Sequence, residues 1–259
     1  MNTIETTVPI TENKDIQHIF TLMQDNGMQQ DKQEMESIVI QISLMETQFE
    51  KVFSELQDVK SQLQAIQDKG IRATVTRIVD TAEVKISGVK NQFITVKDNV
   101  INSFTDARKA VKEKGISALN KALNFFGIRS ALSRLQGKLR DSVSTLQQGV
   151  SRIEDIKGEI HEAGVHAQNA GRVLIGKDVK EVAAHNSDRG ILSGVQKLLN
   201  KTGGMLSGMG KLTASAISKI DKLEQRGEKS SVRQSLKSIK QSQANGQAVT
   251  EKVPQDKAR

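Results

Sequence analysis

The segment HEAGVHAQNAGRVLIGKD, residues 161–178, comes close to the signatures of two kinds of catalytic site. Its first six residues, His161 to His166, form a pattern that is one residue longer than the His-Glu-x-x-His motif with which zinc proteases bind their metal. That motif places two histidine ligands four residues apart, on one face of a helix. His161 and His166 are five residues apart, which turns them about 140° from each other around a helix. The spacing therefore does not predict a zinc site.

The second half of this segment, Gly171 to Asp178, is one residue away from a phosphate-binding loop. Such a loop follows a strand, precedes a helix, and carries Ser or Thr after its Lys to bind magnesium. Here a helical pattern precedes Gly171, and Asp178 follows Lys177, so a carboxylate would repel the phosphate. We interpret the segment as the end of a long helix that is capped by Gly176.

The chain offers few other residues for catalysis. Its 259 residues include no Cys, Trp or Tyr and only four His. No nucleophile, base and orienting group can be assembled from their spacing. Without Cys there are no disulfides and no thiolate metal sites. The sequence therefore predicts a non-enzymatic protein with no cofactor and no metal ion.

Residues 38–66 carry the most regular pattern in the sequence. Apolar residues recur there in alternating steps of four and three, a spacing that is specific for a coiled coil. The positions between them are polar, as the solvent-facing side of such a helix requires. The predicted coiled-coil seam consists of Ile38, Ile42, Met45, Phe49, Val52, Leu56, Val59, Leu63 and Ile66.

Two further apolar seams follow, over residues 75–111 and 132–174, and the second of them runs through Val143 and Val150. The seam residues of the last stretch become small from Lys157 onward. Gly164 and Gly171 lie on this seam one heptad apart. Because glycine lets two backbones come close together, they predict close packing against another helix.

Short segments are predicted to cover the ends of these long helices. Residues 116–126 form a connector helix in which Phe125 and Phe126 pack over the end of a helical hairpin. Residues 10–23 form another short helix, capped by Thr11. We therefore predict an all-α fold, a long antiparallel coiled-coil helical bundle with short end helices.

The composition divides the chain into five predicted segments. Residues 1–36 form an acidic N-terminal segment that contains the short helix. Residues 37–175 form the coiled-coil bundle, and residues 176–189 a polar linker. Residues 190–226 form a C-terminal helix interrupted by glycines at 203, 204, 208 and 210, where a kink or a short break is expected. Residues 227–259 form a basic, flexible tail.

The net charge of +8 bears on the partners of the chain. Residues 226–259 hold eight Lys or Arg residues against three acids, and such a tail can attract nucleic acid. Stacking aromatic residues for single strands are missing, so nucleic acid is the alternative partner. No apolar stretch approaches the roughly 20 residues that cross a bilayer. No secretion signal is apparent. We therefore expect a cytoplasmic protein that does not bind a membrane.

Two stretches, EKGISALNKALNFFGIRSALSRL and IHEAGVHAQNAGRVLIGKD, resemble an uncharacterised bacterial family of long-helical proteins, known as a domain of unknown function and associated with mobile and conjugative elements. The resemblance covers roughly residues 16–225 and leaves both tails outside. It is most specific at Lys114 to Leu119 and at His161 to Lys177, where Gly164, Gly171, Arg172, Gly176 and Lys177 match. The resemblance implies a helical fold but no activity, ligand or catalytic residue.

These observations predict a structural or interaction protein that acts through coiled-coil packing. It would be a scaffold, an adaptor or an accessory factor of a mobile element. Its partner would be another protein or a second copy of the chain, because narrow seams need more helices than one chain provides. The alternative is an accessory protein that binds nucleic acid with its basic tail and helix faces.

Overall fold

A computed structural model describes residues 9–181 and 190–247. This part of the chain is helical and contains no strand. The helices are α1 (Lys14–Asp25), α2 (Gln29–Leu63), α3 (Lys69–Lys114), α4 (Leu119–Ala122), α5 (Phe125–Leu174) and α6 (Ile191–Gln247), with 3-10 turns at Ile10–Glu12 and Ile116–Ala118. The predicted all-α class and bundle architecture are confirmed.

The four long helices α2, α3, α5 and α6 form an antiparallel bundle, each packing beside the next and α6 closing on α2. Side-chain contacts show the direction, because residue numbers fall on one helix as they rise on its neighbour. The contacts are Glu46–Lys97 and Lys60–Glu83 between α2 and α3, Gln41–Ser215 and Glu55–Lys201 between α2 and α6, and Arg129–Asp221 and Lys157–Gln196 between α5 and α6.

Aliphatic side chains from these helices make one continuous core. The nine residues of the seam at 38–66 are between 0% and 7% exposed. Helix α2 ends at Leu63, so Ile66 lies in the connection to α3 and is still buried there. Phe49 and Phe93 meet at 4.9 Å between ring centroids, in the part of the core between α2 and α3.

Caps explain where two of the helices begin. The Asn13 side chain accepts hydrogen bonds from the backbone N–H groups of Asp15 and Ile16, so Asn13 and not Thr11 caps α1. The Asp68 side chain accepts from Ile71 N and starts α3. Capping oxygens of this kind satisfy donors that the first helical turn leaves unpaired. The break in the apolar pattern near Asp68 is therefore the corner between α2 and α3.

One end of the bundle is covered by the connection between α3 and α5. Leu119 is fully buried there and Leu123 is 5% exposed. Phe125 packs against the core from the first turn of α5. Phe126 is 76% exposed, so its predicted packing role is wrong. The next residue of a helix points about 100° away, which turns Phe126 from the core while Phe125 faces it.

Helix α6 corrects two predictions about the C-terminal part of the chain. It runs without interruption from Ile191 to Gln247, so the glycines at 203 and 204 produce no break. Leu199 and Leu206 are fully buried on either side of them, and this packing outweighs the low helix propensity of glycine. The predicted flexible tail is helical through residue 247, and residues 248–259 lie outside the described part of the chain.

Candidate interaction surface on the α5 arm

Helix α5 is longer than the bundle in which it packs. Near the start of α6, Lys157 of α5 contacts that helix: its ammonium group lies 3.1 Å from Glu154 Oε2 and 3.1 Å from Gln196 Oε1. Residues 158–174 continue the helix, and none of them is buried. At 1.5 Å per residue this stretch is about 25 Å long. We call residues 158–174 the α5 arm.

The chain turns at the tip of the arm through the predicted glycine cap. Gly176 has a φ of 71°, a conformation that glycine adopts readily. The Gly176 N–H donates to Val173 O at 3.0 Å and the Lys177 N–H donates to Arg172 O at 2.9 Å. This pair of bonds is the Schellman motif that ends helices. A helix C-terminus presents carbonyl oxygens, not N–H groups, so the segment cannot hold a phosphate as a phosphate-binding loop does.

After the cap, the chain folds back along one side of the arm. The Asn169 side chain makes two hydrogen bonds with the backbone of Lys180, both of 2.8 Å. Arg172 Nε donates to the carbonyl oxygen of Asp178 at 2.6 Å. These bonds fix residues 178–180 against the arm. Residues 182–189, which complete the predicted polar linker, lie outside the described part of the chain.

The tip of the arm presents aliphatic side chains to solvent. Val173, Leu174, Ile175 and Val179 are between 61% and 86% exposed. A single exposed aliphatic residue is ordinary, whereas a contiguous group on a soluble protein commonly marks a contact site. These residues, together with the rest of the arm, form the candidate interaction surface.

Gly164 and Gly171 lie on the arm, and no other helix in the described part of the chain packs against them. A Cβ atom built at either position meets no atom within 4 Å. Among the described residues, no helix of this chain therefore supplies their predicted close packing, and packing against a helix of another molecule stays a prediction. The close approach occurs instead at Gly149, where a Cβ atom would lie 2.6 Å from Ile78 Cγ2.

His161, Glu162 and His166 also lie on the arm, and the structure does not bring them together as a metal site. No group of three or more His, Asp or Glu residues able to hold a metal ion occurs among the described residues. A cavity of about 10 Å³ lies near α4 and is lined by apolar residues, including Ile38, Phe104 and Phe125. It is about the size of one water molecule and offers no polar group.

Sequence reasoning missed the apolar tip and a buried ion pair. The signal at the tip was the run Val173, Leu174, Ile175, because three consecutive aliphatic residues cannot share one helix face. The ion pair joins Lys97 to Glu46 at 2.5 Å, and the Lys97 side chain is 8% exposed. The sequence did not predict that Lys97, which follows the apolar residue Val96, is buried, because lysine usually lies on the surface.

Charged side chains join α2 to α6 along the outside of the bundle. Glu34 accepts a hydrogen bond from Lys219 at 3.0 Å, and Arg226 contacts both Glu34 and Asp31. The hydrogen bond from Lys219 lowers the pKa of Glu34 most; the positive charges nearby also lower it, while burial opposes the shift. On the other side of α6, the hydrogen bond from Arg129 to Asp221 raises the pKa of Arg129.

The lowered pKa of Glu34 predicts an acid-sensitive contribution to stability. A carboxylate whose folded pKa is depressed stabilises the fold above its unfolded pKa and loses this contribution as the pH falls through the folded pKa. We expect Glu34→Gln to be less stable than the wild type at pH 7, with a difference that shrinks as the pH falls below about 4.5. Urea unfolding at a series of pH values measures this.

The matched control for this experiment is Glu50→Gln, which removes an acid from an exposed position of the same helix. It should leave the stability at pH 7 almost unchanged, since isolated surface charges contribute little. A difference between Glu34→Gln and the wild type that stays constant from neutral to acid pH would contradict the role given to Glu34.

The fold and the surface define a class of protein, an all-α helical bundle with a projecting helical arm. Within residues 9–181 and 190–247, none of the helices carries an apolar stretch that could span a bilayer. Residues 12–259 match a sequence family described as "Family of unknown function (DUF6674)", and the chain belongs to this family. The match includes the C-terminal tail, which the resemblance at 16–225 had left out. No curated protein and no solved structure matches the chain.

Proposed function

We propose that the protein is a non-enzymatic structural or interaction protein, a scaffold, adaptor or accessory factor, and that it acts through the α5 arm. The observation that carries this proposal is the exposed aliphatic tip of the arm at Val173, Leu174, Ile175 and Val179. An isolated helix of this length is marginally stable in water, and the glycines of the arm weaken it further. Contact with a partner would stabilise the arm and remove its aliphatic side chains from water.

The proposal extends to the setting of the protein. The resemblance stated for residues 161–177 associates such chains with bacterial mobile and conjugative elements, so we place the protein among the accessory factors of such an element, in the cytoplasm. A coiled-coil mode of contact is supported by the heptad spacing of Leu139, Leu146 and Ile153 in the bundle, which continues at Ile160, Ala167 and Leu174 on the arm.

Binding to nucleic acid is the second candidate function. Helix α6 continues past Arg226 to Gln247, and its sequence there contains Lys229, Arg233, Lys237 and Lys240. A long helix rich in basic residues can bind the phosphate backbone without stacking aromatic residues. A shift of duplex DNA that weakens with salt, and is lost when these four residues are changed to Gln in the full chain, would favour this candidate.

The test of the interaction proposal is a cross-linking pull-down from cells that naturally encode the chain. We expect a specific protein, either a second copy or another chain, to be recovered with the wild type and lost with Leu174→Lys, which places a charge in the aliphatic tip. The matched control is Val84→Lys, at a position of α3 that is 71% exposed. Recovery of the same proteins with both variants would refute the role of the arm.

A further inference from the structure

We infer that the α5 arm binds a second copy of the chain, arm against arm in antiparallel orientation. This inference rests on the proposed function of the arm and names its partner. Its basis is one heptad position of α5, which recurs every seven residues from the bundle into the arm. Within the bundle, Leu139, Leu146 and Ile153 on this helix are at most 1% exposed. The same heptad position continues on the arm with Ile160, Ala167 and Leu174, and Gly164 and Gly171 lie between them on the arm seam; all five are exposed.

The order of large and small residues on the arm seam fits an antiparallel copy. The seam of a coiled coil uses two alternating heptad positions. In an antiparallel pair, a residue at the first position of one helix packs level with a residue at the second position of its partner. With the two-fold axis between residues 165 and 166, Ile160 lies level with Gly171 of the second copy, and Gly164 lies level with Ala167. Each layer then combines a larger side chain with a smaller one. A parallel pair would instead place glycine against glycine and leave voids.

The flanks of the seam do not oppose self-pairing. Positions 161, 163, 168 and 170 border the seam and contain no Asp, Glu, Lys or Arg. A two-fold axis brings like positions together, so charges there would repel their own copies. The returning segment at 178–180 is bound to Asn169 and Arg172, which lie about 120° or more around the helix from the seam. It leaves the seam face open.

The same register gives the aliphatic tip a place to pack. Leu174 of one arm comes level with Lys157 of the other copy, where the bundle of that copy ends. Ile191 begins α6 at this end and is 41% exposed. The tips of both arms would therefore reach the bundle ends of their partners, and the aliphatic surface on each side would be covered by the other.

The experiment uses the absence of Cys from the chain. The full-length variants Ile160→Cys and Gly171→Cys are prepared separately, mixed, oxidised mildly, and analysed by mass spectrometry of the linked peptides. We expect a disulfide between residue 160 of one chain and residue 171 of the other. Ile160→Cys alone should give no covalent dimer, because the two copies of residue 160 would be about 16 Å apart along the pair, beyond the reach of a disulfide.

Controls separate this arrangement from random contact. Val84→Cys, exposed on α3, should give no covalent dimer under the same conditions, and circular dichroism checks that every variant is folded. The uncrosslinked wild type should show a monomer–dimer equilibrium by sedimentation, and Leu174→Lys should shift it to monomer. Disulfides between two copies of residue 160, or a wild type that stays monomeric at every concentration, would overturn the inference.

The remaining outcomes distinguish this inference from the function on which it rests. If the wild type is monomeric but Leu174→Lys still loses a captured protein, self-pairing is wrong and the arm binds a different chain. If the monomer instead binds vesicles of anionic lipid through the same tip, self-pairing is wrong and the tip contacts a lipid surface. If Leu174→Lys changes none of these measurements, both proposals fail.

Discussion

Replacing Lys97 by Ala should lower the free energy of unfolding by about 3 kcal/mol. The Lys97 ammonium group lies 2.5 Å from Glu46 Oε1, with side chains 8% and 21% exposed. Removal of the lysine leaves the Glu46 carboxylate in the α2–α3 interface without its cation, and an uncompensated charge is costly there. The backbone N–H of Ile10 donates to the other Glu46 oxygen at 3.4 Å, so the N-terminal turn should loosen as well. Urea unfolding measures the loss.

A double variant provides the control for this prediction. In Lys97→Met with Glu46→Leu, both charges are replaced by apolar side chains of similar length. Such replacements of buried pairs are often neutral, so the double variant should recover most of the stability that Lys97→Ala loses. If the double variant lost as much free energy of unfolding as the two single replacements lose together, the two residues would not be coupled.

Gly149→Ala should lower the free energy of unfolding by about 1–2 kcal/mol, although alanine favours helix. The added Cβ atom would lie 2.6 Å from Ile78 Cγ2, and Ile78 is itself buried between α3 and α5. Overpacking of this kind costs about 1–3 kcal/mol and outweighs the helix-propensity gain of about 0.5–1 kcal/mol. Thermal or urea unfolding of the two proteins tests this.

The matched control is Gly137→Ala on the same helix, where an added Cβ atom meets nothing within 4 Å. Only the propensity term operates there, so Gly137→Ala should stabilise the protein by about 0.5–1 kcal/mol. Equal stability of the two alanine variants would show that α3 does not approach α5 closely at Gly149.

The long helices could be predicted because their apolar residues repeat at a helical period. The detailed packing of α5 could not. The sequence favoured Val143 and Val150 as seam residues, whereas Ser142 and Gly149 are the buried ones. The valines remain only partly buried beside the core. Where two helices come very close, the space between them admits a small residue and not a large one. A hydrophobic pattern does not report the distance between two helices.

The arm could be predicted only as a helix. Its seam spacing predicts a partner helix for residues 158–174, but a spacing does not specify which helix supplies it. Whether Gly164 and Gly171 pack within the chain depends on where α2 turns into α3. That corner is set by Asp68 and Ile66, about a hundred residues earlier in the sequence. The sequence shows the corner between α2 and α3 and the glycines of α5, but it does not show at what level along α5 the corner lies.

The antiparallel order of the helices has a consequence for the reach of the molecule. The α5 arm leaves the bundle at one pole, and α6 continues from the opposite pole, beyond the contact of Arg226 with Asp31. Between the poles lies the stretch of α5 from Arg129 to Lys157, about 42 Å of continuous helix. Two molecules bound at the two poles would therefore be held at a fixed distance from each other, which the length of this helix sets.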